Sequence, residues 1–160
     1  MTLHDAFVVA VHLALLGIGG WLIVIDLRTH RLPNRIVLPT GGALLLLMLA
    51  EAAVTGDPQR LFRAGVGMLL LGGFYAVLRL ASREGLGGGD VKLAAVIGLL
   101  LGWHSWHALV IGAGSAFPLG ALYAMGLMAL RKAEHSTRIA FGPWMVIGAA
   151  LGIAVAPGLG

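Results

Sequence analysis

Residues 85–103 read GLGGGDVKLAAVIGLLLGW. Four of the first five positions are glycine, a poor helix former. Asp90 and Lys92 follow, and ionisable groups are costly inside a bilayer. From Val91 to Trp103 the chain is otherwise apolar, but this run is shorter than the roughly 20 residues of a helical span. It reaches spanning length only if Gly87–Asp90 dips into the membrane. Irregular backbone survives at that depth only when it is buried in protein or lines a wet cavity. The stretch therefore reads as a span entered by a Gly-rich loop, with a carboxylate at its mouth.

Five more apolar segments surround it: Ala6–Ile25, Ile36–Val54, Leu61–Ala81, His107–Leu130 and Ile139–Ala156. Across all 160 residues 59% are hydrophobic and only 11% are charged. Mean hydropathy is +0.94. Soluble domains carry about a quarter charged residues, so a water-soluble globule and a disordered chain are both excluded. The expected fold is all-α: six transmembrane helices forming one membrane-embedded domain over residues 1–160. Met1–Asp5 has no Lys or Arg, so the first segment reads as a retained span rather than a signal peptide. There is no cysteine, which excludes thiolate catalysis and Cys-bound zinc. Gly98-x-x-x-Gly102 and Gly148-x-x-x-Gly152 are small-residue patterns that allow close helix packing. Pro118 is expected to kink the fifth span.

The formal charge of +4 records topology rather than nucleic-acid binding. Arg28, Arg31 and Arg35 lie between the first two spans, Arg79, Arg83 and Lys92 around the third connection, and Arg131, Lys132 and Arg138 in the fifth. The remaining connections hold only Arg60 and Arg63. The positive-inside rule places the basic loops in the cytoplasm and both termini outside. Asp26 closes span one and Asp90 opens span four. Two complete spans separate them, so both aspartates face the same side, which the charges make cytoplasmic. Paired carboxylates are a hydrolytic device. One activates water, and the other, kept protonated, serves the leaving group. Proximity and low dielectric hold the two titrations apart. No metal and no cofactor is needed.

Gly87-Gly88-Gly89-Asp90 matches the Gly-x-Gly-Asp motif of intramembrane aspartyl proteases. The wider stretch Gly85–Leu93 resembles the type IV prepilin peptidases, in which Val-Lys-Leu follows that aspartate. Asp26 to Pro33-Asn34 is similar to the first aspartate segment of that family, and Phe141-Gly142-Pro143 to a third. The resemblance implies a membrane aspartyl endopeptidase of the plasma (inner) membrane, with Asp26 and Asp90 as the catalytic pair. Gly87 and Gly89 would let backbone approach the substrate, and Lys92, Pro33 and Asn34 would shape the site. Implied substrates are prepilins or pilin-like proteins of type IV pili and type II secretion. These carry a short basic leader, usually ending in glycine, ahead of a hydrophobic helix. Many members carry a large cysteine-containing insertion between the first two spans, associated with N-methylation. Here only Asp26–Arg35 connects them, which resembles the short peptidase-only members. Ala140 also stands where the family more often has proline.

Competing readings have less support in the residues. A small ion-coupled transporter using Asp26 and Asp90 as a proton relay would need acids along a path, and only Glu51 lies within another span. A serine mechanism at Ser115 would need a histidine, and His12 is the one at mid-span. His104 and His107 sit among tryptophans, as interfacial filling would.

Overall fold

The computed structural model describes residues 3–29, 32–81, 87–130 and 140–156, with the backbone alone for 3–12. Among the described residues six α-helices follow one another: α1 (Leu3–Thr29), α2 (Asn34–Thr55), α3 (Pro58–Ala81), α4 (Gly88–His104), α5 (Trp106–Ala129) and α6 (Gly142–Val155). Three of them, α2, α3 and α5, are long and apolar enough to cross a membrane. At 1.5 Å per residue, the 17 residues of α4 rise about 25 Å and the 14 of α6 about 21 Å. Large apolar side chains point outward along the long helices, among them Leu46, Phe62, Leu69 and Val110, each more than two-thirds exposed. In water such a surface would aggregate, whereas in lipid it is solvated.

The helix limits refine the sequence segments in one instructive place. Gly88 and Gly89 are the first two residues of α4, and Gly87 is its N-cap with φ −70° and ψ 149°. Residues 82–86 lie outside the described residues, so within them the glycine run is a helix start rather than a loop. Glycine weakens helix interiors, but the first-turn N–H groups have no intrahelical acceptor in any case. Asp90 compensates locally, because its Oδ2 accepts the Gly87 N–H at 3.0 Å. The turn Thr55–Pro58 closes through Gly56, at φ +66°, where glycine tolerates the left-handed conformation. Helix α5 runs unbroken past Pro118, and α2 past Pro39. Ile139, the expected start of the last span, lies outside the described residues.

Two tight helix pairs form the frame. In α3–α4 a methyl on Gly67 would collide with Gly98 O, and one on Gly98 with Gly67 O. One on Gly102 would meet Arg63 O at 2.5 Å. In α5–α6, Gly148 faces Gly112, and Gly152 faces Ala108 and Gly112. Both small-residue patterns therefore serve helix contact, with backbones close enough that even alanine would force them apart. Overpacking of this kind is destabilising by roughly 1–3 kcal/mol. Helix α4 is the hub: it packs on α3, α2, α5 and α6, and α1 leans on α6. Leu93, Ala94, Ile97 and Leu101 of α4 are all buried.

The two ends of α4 lie in different chemistry. At its C-terminus, Arg63 donates to the carbonyls of Gly102 at 2.6 Å, Trp103 at 2.8 Å and His104 at 3.2 Å. These are carbonyls the helix cannot satisfy itself, and the cation complements the helix dipole. A polar cavity of about 460 Å³ opens there, lined by Glu51, Asp57, Arg60, Arg63 and His104 among others. Arg60 is paired with Asp57 at 3.1 Å and with Glu51 at 3.8 Å. At the other end of α4 lies Asp90.

Candidate active site

Among the described residues Asp26 is the buried charged one, at 3% exposure. On α1 it shares a face with Leu22 and Gly19, both turned toward α6. Gly19 brings the helices close, since a methyl there would lie 3.0 Å from Val146 Cγ1. That contact places Asp26 at the start of α6, where its Oδ2 accepts the Gly142 N–H at 3.0 Å. Gly142 is the first residue of α6 and Pro143, which has no N–H, is the next. A methyl on Gly142 would stand 2.6 Å from Asp26 Oδ2. A side chain there would push the carboxylate aside, and the helix N-terminus supplies partial positive charge beside it.

Asp90 has the same setting at the start of another helix. Its Oδ2 accepts the Gly87 N–H in the first turn of α4. Asp26 lies near enough for the two charges to interact. Leu32 fills the space between the two segments. A methyl on Gly89 would be 2.7 Å from Leu32 Cβ, and one on Gly142 3.5 Å from Leu32 Cδ1. Gly89 is thus packed against the chain's own Leu32 rather than facing open space. Gly88 leaves room for the Arg79 guanidinium, which occupies the volume a side chain would need.

The other residues singled out in the sequence gather around the pair. Pro33 is the N-cap of α2, at φ −72° and ψ 125°. Lys92 Nζ donates to Asn34 Oδ1 at 2.8 Å. The segments carrying the two aspartates are therefore joined twice, by packing of Gly89 on Leu32 and by the Lys92–Asn34 bond. Ser115 Oγ instead donates to Gly112 O at 3.3 Å, within its own helix.

Three contributors have no role assigned in the sequence reading. Tyr75 is 1% exposed and lies within electrostatic reach of Asp90. Its ring is 5.8 Å from that of Phe117 and 5.9 Å from that of Phe141, so an aromatic cluster backs the site. The other two are Gly142, although its motif stood out, and Leu32. The available signal for Tyr75 is its spacing from Gly72. Gly72 touches Ala95 of α4, and Tyr75 lies on the same face about one turn nearer Asp90.

Comparisons with known proteins identify the family of the chain. The model of the type IV leader peptidase family matches residues 13–130, a stretch containing both aspartates. The chain belongs to that family. A prepilin leader peptidase/N-methyltransferase of Aeromonas salmonicida (strain A449) is 35% identical over 133 residues, covering 79% of this chain and 44% of the relative. Its namesake in Dickeya chrysanthemi is 36% identical over 138 residues, covering 86% and 47%. That of Escherichia coli (strain K12) is 34% identical over 137 residues, covering 82% and 57%. The chain thus spans about half the length of these relatives. No solved structure matches it.

Proposed function

We propose that this chain is a membrane aspartyl endopeptidase that removes the basic leader from prepilin or pilin-like proteins. The observation that carries the proposal is the shared setting of Asp26 and Asp90: each accepts an N–H at a helix N-terminus, Leu32 packs against the glycine beside each, and the two charges lie within electrostatic reach. These carboxylates come from helices 64 positions apart in sequence, and surface solvation does not explain a site built around a buried Asp26. Like charges held together in a poorly solvated place are unfavourable unless the pair shares a proton. A shared proton is what hydrolysis uses. The ionised carboxylate takes a proton from water as its oxygen attacks the scissile carbonyl, and the protonated one hydrogen-bonds the carbonyl oxygen. Collapse of the tetrahedral species then breaks the C–N bond, with a proton delivered to the leaving amine. No acyl-enzyme forms, and no cofactor or metal is called for.

In this reading all six helices cross the inner membrane, with α4 and α6 as the short ones. The split of basic residues between connections puts the aspartate end in the cytoplasm, where a basic leader would reside. The chain cleaves without methylating, because the four residues 30–33 between α1 and α2 leave no room for a cofactor domain. The proton-relay reading fares worse. Glu51, the further acid expected within a span, is paired with Arg60 at the opposite end of the bundle.

Purified chain and a prepilin, incubated with a labelled methyl donor, test the proposal. Release of the leader with no label on the new N-terminus is the expected result. An uncut prepilin overturns the peptidase, and a labelled N-terminus overturns the peptidase-only form.

A further inference from the structure

Helices α1 and α2 are consecutive, yet among the described residues no Cα of one comes within 8 Å of a Cα of the other. Helix α1 leans on α6, whereas α2 leans on α4 and α3. The gap between them is a groove of about 250 Å³ floored by α4 and α6. Its lining is apolar except for Thr40, whose hydroxyl is already bonded to Ile36 O at 2.8 Å. No polar partner is offered to water or to a headgroup. The groove also begins about one helical turn from the aspartates. Leu22 is one turn before Asp26 on α1, Leu93 one turn after Asp90 on α4, and Val146 one turn after Gly142 on α6. From there it extends along α4 to Leu100, about 10 Å deeper.

We propose that this groove seats the apolar helix that follows the scissile bond of the substrate. The proposal rests on the leader-peptidase reading above and assigns that site its second half. The volume is too small for a whole helix, about 10 Å across, and suits one stripe of aliphatic side chains. Ala149, Ala150 and Ala154 keep the floor low on α6, so a helix backbone can approach closely. A helix lying lengthwise in the groove carries its N-terminal end past Leu22 to the carboxylate pair. The groove then acts as a ruler, setting the cut at the boundary between leader and helix.

The chain has no cysteine, so pairs are easily introduced. Ala150→Cys, in an Asp90→Asn background intended to keep substrate whole, is oxidised in membranes with a prepilin. The prepilin carries one cysteine, stepped along its apolar helix. Disulfides are expected at positions recurring every three to four residues, and none with Leu69→Cys on the outer face of α3. Disulfides confined to enzyme pairs, equal capture at Leu69, or no capture at Ala150 as for a lipid-filled groove, each overturn the proposal. Ala150→Trp, with the native aspartates, should raise KM for prepilin about tenfold and leave kcat within about twofold. An unchanged KM also overturns it. If the parent chain cuts no prepilin, the peptidase reading fails while the crosslinks still report on the groove.

Discussion

The two ends of α4 use charge in opposite ways. At the C-terminal end a guanidinium meets three carbonyls, and Arg60 is balanced by Asp57 and Glu51. The charges named there face an opposite charge or the carbonyl end of the helix, which is stabilised. At the N-terminal end two carboxylates sit within reach of each other, and the helix starts on two glycines. Each choice there is locally unfavourable: glycine in a helix, a carboxylate in a buried place, like charge beside like charge. The first end is what a membrane helix needs to persist. The second persists only because the frame of α3–α4 and α5–α6 holds it, the usual relation between a strained site and its support. Substitutions at the aspartate end should therefore alter chemistry more than stability, and those at the arginine end the reverse.

The largest break in that contrast is at the pair. Asp26→Asn and Asp90→Asn should each lower prepilin cleavage about a thousandfold or more, while the protein still inserts and accumulates. The double variant should be no slower than either single, as for groups acting as a unit. The parent's rate should fall at low pH, where both carboxylates are protonated, and at high pH, where neither is. The two limbs belong to the pair rather than to either residue. A rate that retains most of its value in Asp90→Asn removes the aspartyl mechanism.

Gly142→Ala comes next. Its methyl would stand 2.6 Å from Asp26 Oδ2, so the carboxylate must shift by a few tenths of an ångström or more. A displacement on that scale should slow kcat about tenfold to a hundredfold, with thermal stability nearly unchanged. An unaltered kcat would mean that the Gly142 contact does not position Asp26.

At the arginine end the order reverses. Arg63→Met leaves the last carbonyls of α4 without their donor and should destabilise the fold by about 2–3 kcal/mol. The cleavage rate at permissive temperature should stay within about twofold. Thermal or detergent denaturation of both proteins checks the first part and a cleavage assay the second. The smallest effect is expected for Asp57→Asn. Asp57 Oδ1 accepts the Gln59 N–H at 3.1 Å at the start of α3, and asparagine caps as well as aspartate. Cleavage should match the parent, and loss of the exposed pair with Arg60 should lower stability by no more than about 1 kcal/mol.

Much of the aspartate end was legible before any coordinates. Hydropathy alone separates the apolar segments, because each helix in lipid must be apolar on its own account. The even number of segments between Asp26 and Asp90 places both at one end, a matter of counting that survives errors of several residues in helix limits. Gly98–Gly102 and Gly148–Gly152 mark contact faces because only the smallest residues let backbones touch. Tertiary structure decided which backbones those are, and it made Gly88 and Gly89 the start of α4. It also placed the Gly142 N–H on Asp26, across 116 positions. It brought Tyr75 beside Asp90, assigned Arg63 to the end of α4, and left α1 and α2 apart. None of these follows from local pattern. Propensity and periodicity describe a residue and its neighbours within a few turns. Which helix lies beside which is set by the packing of all six, where a single close contact fixes the partners of every residue on its face.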